Sequence, residues 1–565
     1  MSVPTSHGAE VRSTRVDRRR SWIAWTASGD HKHIGMLLIG TALSVGVLSL
    51  VLLLLTRIQL AIPNNIFMAP ARFNEALSLL TTSGFFCVLL PLAFGLATYV
   101  VPLQLGARTI ALPRLTQLGY WLVLGGSIAL FASILWDNPP AAGFAALAPL
   151  SDNEFLGSNG MIAWSLCILL TGLGLLLLAA NLVVTSLRSK APGLVWRRMP
   201  PFSAASVLGS WLTLATLPVL LAGAVMLLAD RAFGGEFFDA AAGGSPGFWM
   251  HLFWFAVTPA FFTIVLIAFG AISEILPNLS GTISFNHRSV GLSLGAIAGL
   301  APLAWMLNLL TAGLPLGFQI FAMVIGLLLV VPFTVVLANW IATIWGAALR
   351  LRAPALFAFG AISLLIVGLV TKLMLAVIPI AYVLDGTAFS SASSWYVMVG
   401  ALTALLAGLY YWFPKMTGRS LGEGLGAASI GLIVGGTHLM LLPLLAAGLD
   451  GQPADISRYS SEVNWTVFNV LALLGTLGLI GGYILTLANA VISRAAGARA
   501  GHDPWNGSTL EWFTSSPPPA NNFDAVPDVL SEHPLRDIRE TIRGRNHRRD
   551  GADTRRPDEH RQPVA

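Results

Sequence analysis

Histidine, cysteine and charge are all scarce in this chain. Its 565 residues include ten histidines, at positions 7, 31, 33, 251, 287, 438, 502, 533, 547 and 560, and only His251 and His438 fall inside apolar segments. A metal centre at membrane depth needs strong donors, normally imidazole, so little is available to build one. The two cysteines, Cys87 and Cys167, sit in apolar runs without a CxxC partner. That argues against a disulfide framework or a thiolate metal site and leaves them as small core thiols. Charged residues make up 11% against roughly 25% in a soluble domain, so lipid is the main solvent. The formal charge of +6 is scattered over loops and tails and gathered in no patch, so nucleic acid is excluded as a partner.

What is abundant is long apolar sequence. A hydrocarbon core about 30 Å thick needs about 20 apolar residues as helix. Qualifying segments run approximately over 34–56, 77–101, 118–136, 161–187, 204–228 and 248–276, then 290–312, 318–345, 353–380, 395–413, 425–449 and 464–491. The expectation is an all-α integral membrane protein, a bundle of about twelve transmembrane helices in one domain over residues 30–500. Alternate loops carry Arg188, Lys190, Arg197 and Arg198; Arg350 and Arg352; and Lys415 and Arg419. The intervening loops hold Asp152 and Glu154, Glu236 and Asp239, and Asp450 and Asp455. Because Lys and Arg stay on the cytoplasmic side, both termini are expected there.

Residues 1–29 form a basic tail with Arg12, Arg15, Arg18, Arg19 and Arg20 and no adjacent cleavage-type apolar region. They read as a cytoplasmic tail held near anionic lipid and not as a signal peptide. Residues 501–565 lose the hydrophobicity of the bundle and contain Pro517-Pro518-Pro519 followed by a charged run. They read as an extended polar tail unable to fold by itself.

Several strings are more specific than hydropathy. GLATYVVPLQLGARTIALPRLTQLGYW (95–121), LADRAFGGEFFDAAAGGSPGFWMHLFWF (228–255), AFGAISEILPNLSG (268–281), YVMVGALTALLAGLYYWFPKMTGR (396–419) and DPWNGSTLEWFTSSPPPANNF (503–523) resemble haem-copper oxidase subunit I, in the cytochrome c oxidase style. The resemblance extends over roughly residues 30–523. It implies two haems and one copper, electron transfer to oxygen with proton pumping, other respiratory oxidase subunits as partners, and a bacterial plasma membrane.

Carried over residue by residue, the resemblance fails at the chemistry. A low-spin haem ligand in a Met-His-Gly string corresponds to Ser83 in Thr82-Ser83-Gly84. The family's His-Pro-Glu-Val-Tyr reads Thr258-Pro259-Ala260-Phe261-Phe262, so the copper ligand, the acid and the tyrosine become Thr258, Ala260 and Phe262. The adjacent copper-site histidines correspond to Leu307 and Asn308 after Trp305. The two haem histidines of Ala-His-Phe-His-Tyr-Val correspond to Ser393 and Trp395 in Ala392-Ser393-Ser394-Trp395-Tyr396-Val397. The proton-path lysine corresponds to Val336, and the acid after the second helix to Thr109. The outer His-Asp pair becomes Asp385-Gly386, and the arginine pair has no counterpart around Ala454 and Asp455. These replacements lead to the expectation of no cofactor and no metal, with bulky side chains such as Trp395, Phe262 and Met306 filling the former haem space, or else a lipid, quinone or other apolar ligand.

His251 and His438 are candidate buried polar sites, read first as structural, hydrogen-bonded histidines. Lys372 is the third such site, because it lies mid-segment in AISLLIVGLVTKLMLAVIPIAY. A charge at helix centre costs about 2.5–3.5 kcal/mol on insertion scales. It marks an ion-pair or proton site inside the bundle, or it snorkels outward toward Asp385. Three functions follow. The first is a catalytically degenerate subunit I homologue with a structural, assembly or regulatory role in the respiratory membrane. The alternative is an electron-transferring subunit I with an atypical or partial haem/copper set. The third, a small-molecule transporter, lacks the paired broken helices of such sites.

Overall fold

The structure, a computed structural model, describes residues 28–148, 150–151 and 159–541. The arginines at 12–20, together with Asp152 and Glu154, lie outside the described residues. Among the described residues, twelve helices are long and apolar enough to cross a membrane. They are α1 (His31–Gln59), α2 (Pro70–Gln104), α3 (Pro113–Leu135), α4 (Gly160–Arg188), α5 (Pro201–Phe233), α6 (Pro246–Ser280), α7 (His287–Leu309), α8 (Leu316–Ile344), α9 (Ala353–Ala376), α10 (Ala388–Thr417), α11 (Glu423–Leu449) and α12 (Thr466–Ala496). A short helix, Ile378–Leu384, links α9 to α10. The protein is thus an all-helical integral membrane bundle.

Local chemistry sets the helix ends. The Asp30 carboxylate accepts from Lys32 N–H to cap α1, Ser245 caps α6 through Phe248 N–H, and Asn286 caps α7 through Ser289 N–H. Proline occupies the first turn of α2, α3, α5 and α6, where its missing N–H costs nothing. Gly281 and Gly418 close α6 and α10 with φ of 68° and 73°, a conformation that L side chains resist. Between the helices, small residues allow contact where the hydrophobic effect is weak. A Cβ on Gly475 of α12 would meet the Met440 backbone nitrogen and the Gly436 carbonyl of α11, so these two backbones touch.

Two membrane helices depart from α geometry. Ser83–Leu89 within α2 is a π-helical turn, and Ala301–Leu309 at the end of α7 is a 3-10 helix. The first holds Ser83 and the second Leu307 and Asn308, which the resemblance sets at ligand positions, and such irregularities concentrate at functional sites.

The stretch after Gly501 departs from the expected extended tail as far as residue 541. Trp505, Leu510, Trp512, Phe523, Val529 and Leu535 are buried within the main core. Trp505 Nε1 donates to the Tyr411 carbonyl at 2.7 Å and its ring stacks on Tyr411. Asn522 bonds His31 and Lys32 of α1. The composition is polar on average, but a few aromatics spaced through it find sockets on the bundle, and tertiary contact supplies what the segment lacks alone.

Candidate functional site: a cavity between α2 and α6 to α10

A cavity of about 640 Å³ opens in the core. Its apolar wall includes Phe85, Trp254, Phe262, Leu307, Phe333 and Trp395. Its polar wall includes Thr258, Asn308, Lys372, Ser390, Ser391 and Ser394, with Asp385 and Asp455 also on the lining. The expectation that Trp395, Phe262 and Met306 would fill this space is corrected here. Phe262 and Trp395 line the cavity without closing it, Phe262 stacking on Phe333 at 6.4 Å, while Met306 packs against Leu310, Ala322 and Ala381.

The structure gathers some of the carried-over positions and scatters others. Thr258, Phe262, Leu307, Asn308 and Trp395 share the cavity, and Lys372 joins them. Asn308 Nδ2 donates to Thr258 Oγ1 at 2.9 Å, so the two polar copper-ligand positions satisfy each other. Ser83 is buried and shares a 2.8 Å hydrogen bond with Ser49 of α1. Ser393 is buried and accepts from Thr371 of α9 at 2.8 Å. Ala260 and Val336 are buried away from the lining. Thr109 is exposed in the loop after α2, beside Arg108, Arg188 and Lys190.

The remaining candidates have clear partners. His438 shares a 3.1 Å hydrogen bond between Nδ1 and Tyr396 OH. His251 packs edge-on against Trp305, with centroids 5.0 Å apart. Lys372 Nζ donates to Ser394 Oγ at 2.8 Å, and Ser394 donates in turn to the Ser390 carbonyl at 3.0 Å. Asp385 accepts from Thr311 Oγ1 at 2.6 Å. Burial raises the Asp455 carboxyl above its ordinary range. Cys87 and Cys167 meet with 3.7 Å between sulfurs in the core.

Sequence reasoning passed over a second polar centre at the end of the bundle that carries the C-terminal segment. Glu274 of α6 and Glu511 are both buried. Glu511 Oε1 accepts from Gln104 at 3.0 Å and from Trp412 at 3.3 Å, and Glu274 Oε1 accepts from Thr509 at 3.1 Å. Lys415 Nζ donates to the carbonyls of Thr514, Ser515 and His502 and lies 5.0 Å from the Trp512 ring centre. The signal was available: AFGAISEI and TLEW each place one carboxylate in an apolar string.

Residues 33–480 match the sequence family described as Cytochrome C and Quinol oxidase polypeptide I. The chain belongs to that oxidase subunit I family. It is 36% identical over 480 residues to cytochrome c oxidase subunit 1 of Bacillus sp. (strain PS3), covering 84% of this chain and 77% of the relative. It is 34% identical over 507 residues to cytochrome c oxidase subunit 1 of Thermostichus vulcanus, covering 89% and 91%. A solved structure described as a heme-copper terminal oxidase dimer shares the fold, with a TM-score of 0.66 at 14% identity, covering 85% of this chain and 84% of its own.

Family membership overturns the expectation of no cofactor: the haem-copper oxidases carry haem and copper, and these are the groups the family implies for this subunit I chain. The residues that the resemblance sets at the ligand positions do not fit them. A hydroxyl, an isobutyl group and a carboxamide stand at Thr258, Leu307 and Asn308, and Ser83 and Ser393 are engaged with other hydroxyls. Neutral hydroxyls and amides are weak donors for iron or copper.

Proposed function

We propose that this subunit I homologue is catalytically degenerate and serves as a structural, assembly or regulatory component of the aerobic respiratory membrane, alongside other oxidase subunits and with both termini cytoplasmic. The observation that carries the reading is the Asn308–Thr258 hydrogen bond of 2.9 Å. It turns the polar groups carried over to the copper-ligand positions toward one another, in a cavity where Phe262 stands for the redox-active tyrosine, while Ala260, buried off the lining, stands for the acid. Oxygen reduction needs a donor set that binds metal and groups that deliver protons, and neither is supplied at the carried-over positions. The reading concerns turnover: the chain's remaining capacity is to hold the fold and present its surfaces.

A second reading, a subunit that transfers electrons to oxygen with an atypical haem/copper set, draws support from the cavity itself and from the π and 3-10 turns kept at Ser83 and at Leu307-Asn308. One experiment separates the two. The protein is purified from its native membrane in mild detergent, and oxygen consumption is followed with reduced cytochrome c or a quinol, alongside a reduced-minus-oxidised spectrum and metal analysis. The expected result is no turnover assignable to this chain, together with co-purification of other respiratory subunits. Turnover of about 1 s⁻¹ or more that tracks bound haem and copper in this chain would establish the second reading instead.

A further inference from the structure

We propose that the α8–α9 side of the cavity binds one long-chain fatty acid, its carboxylate on Lys372 and the neighbouring serine hydroxyls and its chain lying between the two helices. The cavity of about 640 Å³ falls in the range of small-molecule sites, roughly 300–1,000 Å³. Its α8 and α9 walls carry Leu329, Phe333, Ile366, Leu369 and Val370. Ile366 and Val370, together with Thr334, are exposed on the bundle surface as well as lining the cavity, so this side meets the acyl chains of the bilayer. A hydrocarbon tail passing from lipid into such a cleft keeps apolar surroundings throughout its path.

The polar end of the cleft supplies the head-group chemistry. Lys372 stands one turn before the end of α9 at Ala376, and a protonated lysine has three donors. Among the described residues its one hydrogen bond goes to Ser394 Oγ at 2.8 Å, and no carboxylate pairs with it within 4.0 Å. An intramembrane cation calls for a counter-charge or water. Ser390 and Ser391, on the same lining, add hydroxyls beside it. Asp385 and Asp455 stand on that lining too, so the local field opposes anions in proportion to their charge and disfavours a doubly charged head most. A monoanionic carboxylate, two oxygens wide, meets both conditions. This site uses the α8–α9 wall of the one cavity and rests on the first reading, in which no haem fills that space.

The test uses the full chain in phosphatidylcholine nanodiscs, with radiolabelled oleate as the probe. Wild-type protein is expected to show one saturable site per chain, for which oleyl alcohol competes at least about tenfold more weakly than oleate. Lys372→Met is expected to weaken oleate binding by about tenfold or more, and Lys372→Arg by about threefold or less. Val370→Trp, a change at a surface-exposed position, is expected to block the tail. The proposal is overturned if binding is not saturable, if oleyl alcohol competes as well as oleate, if dioleoylphosphatidate outcompetes oleate, or if Lys372→Met and Val370→Trp bind oleate like wild type. Should Lys372→Met fail to fold, the acid-to-alcohol ratio on the wild-type protein decides by itself.

Discussion

At Thr258 and Asn308 a hydroxyl and a carboxamide satisfy each other at 2.9 Å on the wall of the cavity. Interhelical hydrogen bonds in membranes average about 0.6 kcal/mol and reach about 1.7. A double-mutant cycle with Thr258→Val and Asn308→Leu should therefore return a coupling of about 0.6–1.7 kcal/mol in reversible unfolding. A value indistinguishable from zero would remove this bond from the account of the site. Glu511 makes a different residue-level case. Burial raises its carboxyl above the ordinary 4.5, so the folded state holds the proton more tightly than the unfolded chain does. The resulting stability is present below about the ordinary value and is lost as pH rises through the raised one. Protease resistance of residues 501–535 should accordingly fall as pH is raised from that range. Glu511→Gln should flatten the profile, and an unchanged slope in that variant would assign the effect to another group.

Among the helices, α11 and α12 meet backbone to backbone, because Gly475 approaches Met440 and Gly436 more closely than any Cβ allows. Gly475→Leu should cost roughly 1–3 kcal/mol or more through overpacking, whereas Gly435→Leu, whose Cβ would meet nothing within 4 Å, should be near neutral. Equal melting temperatures for the two variants would contradict the close approach. The helices themselves were legible in sequence because hydropathy over about 20 residues reports membrane solvation directly. The π turn at Ser83 and the 3-10 turn through Asn308 were not legible, since apolar composition is indifferent to whether a turn has 3, 3.6 or more residues. The helix Ile378–Leu384 also escaped: the apolar run to Ile380 hid the break at Val377, whose ψ of 117° ends α9.

Over the whole molecule, the cavity was only partly foreseen. The identities at Thr258, Leu307, Asn308, Ser83 and Ser393 could be assigned by register with the family strings. Their partners could not, because Ser49, Thr371 and the neighbouring helices come from distant sequence. Lys372 stood out as a charge in an apolar run, yet its orientation toward Ser394 depends on the α9–α10 packing and on nothing local. The buried carboxylates Glu274 and Glu511 were invisible as a pair, since 237 positions separate them. The segment that carries Glu511 also dictates an order of events. Asn522 clasps His31 and Lys32, the first turn of the first membrane helix, so α1 gains this contact only once residue 522 has been made. A chain cut before Trp505 leaves Tyr411, Trp412 and Lys415 without their partners Trp505, Glu511 and Thr514, so the end of the bundle stays open until the last packed segment arrives.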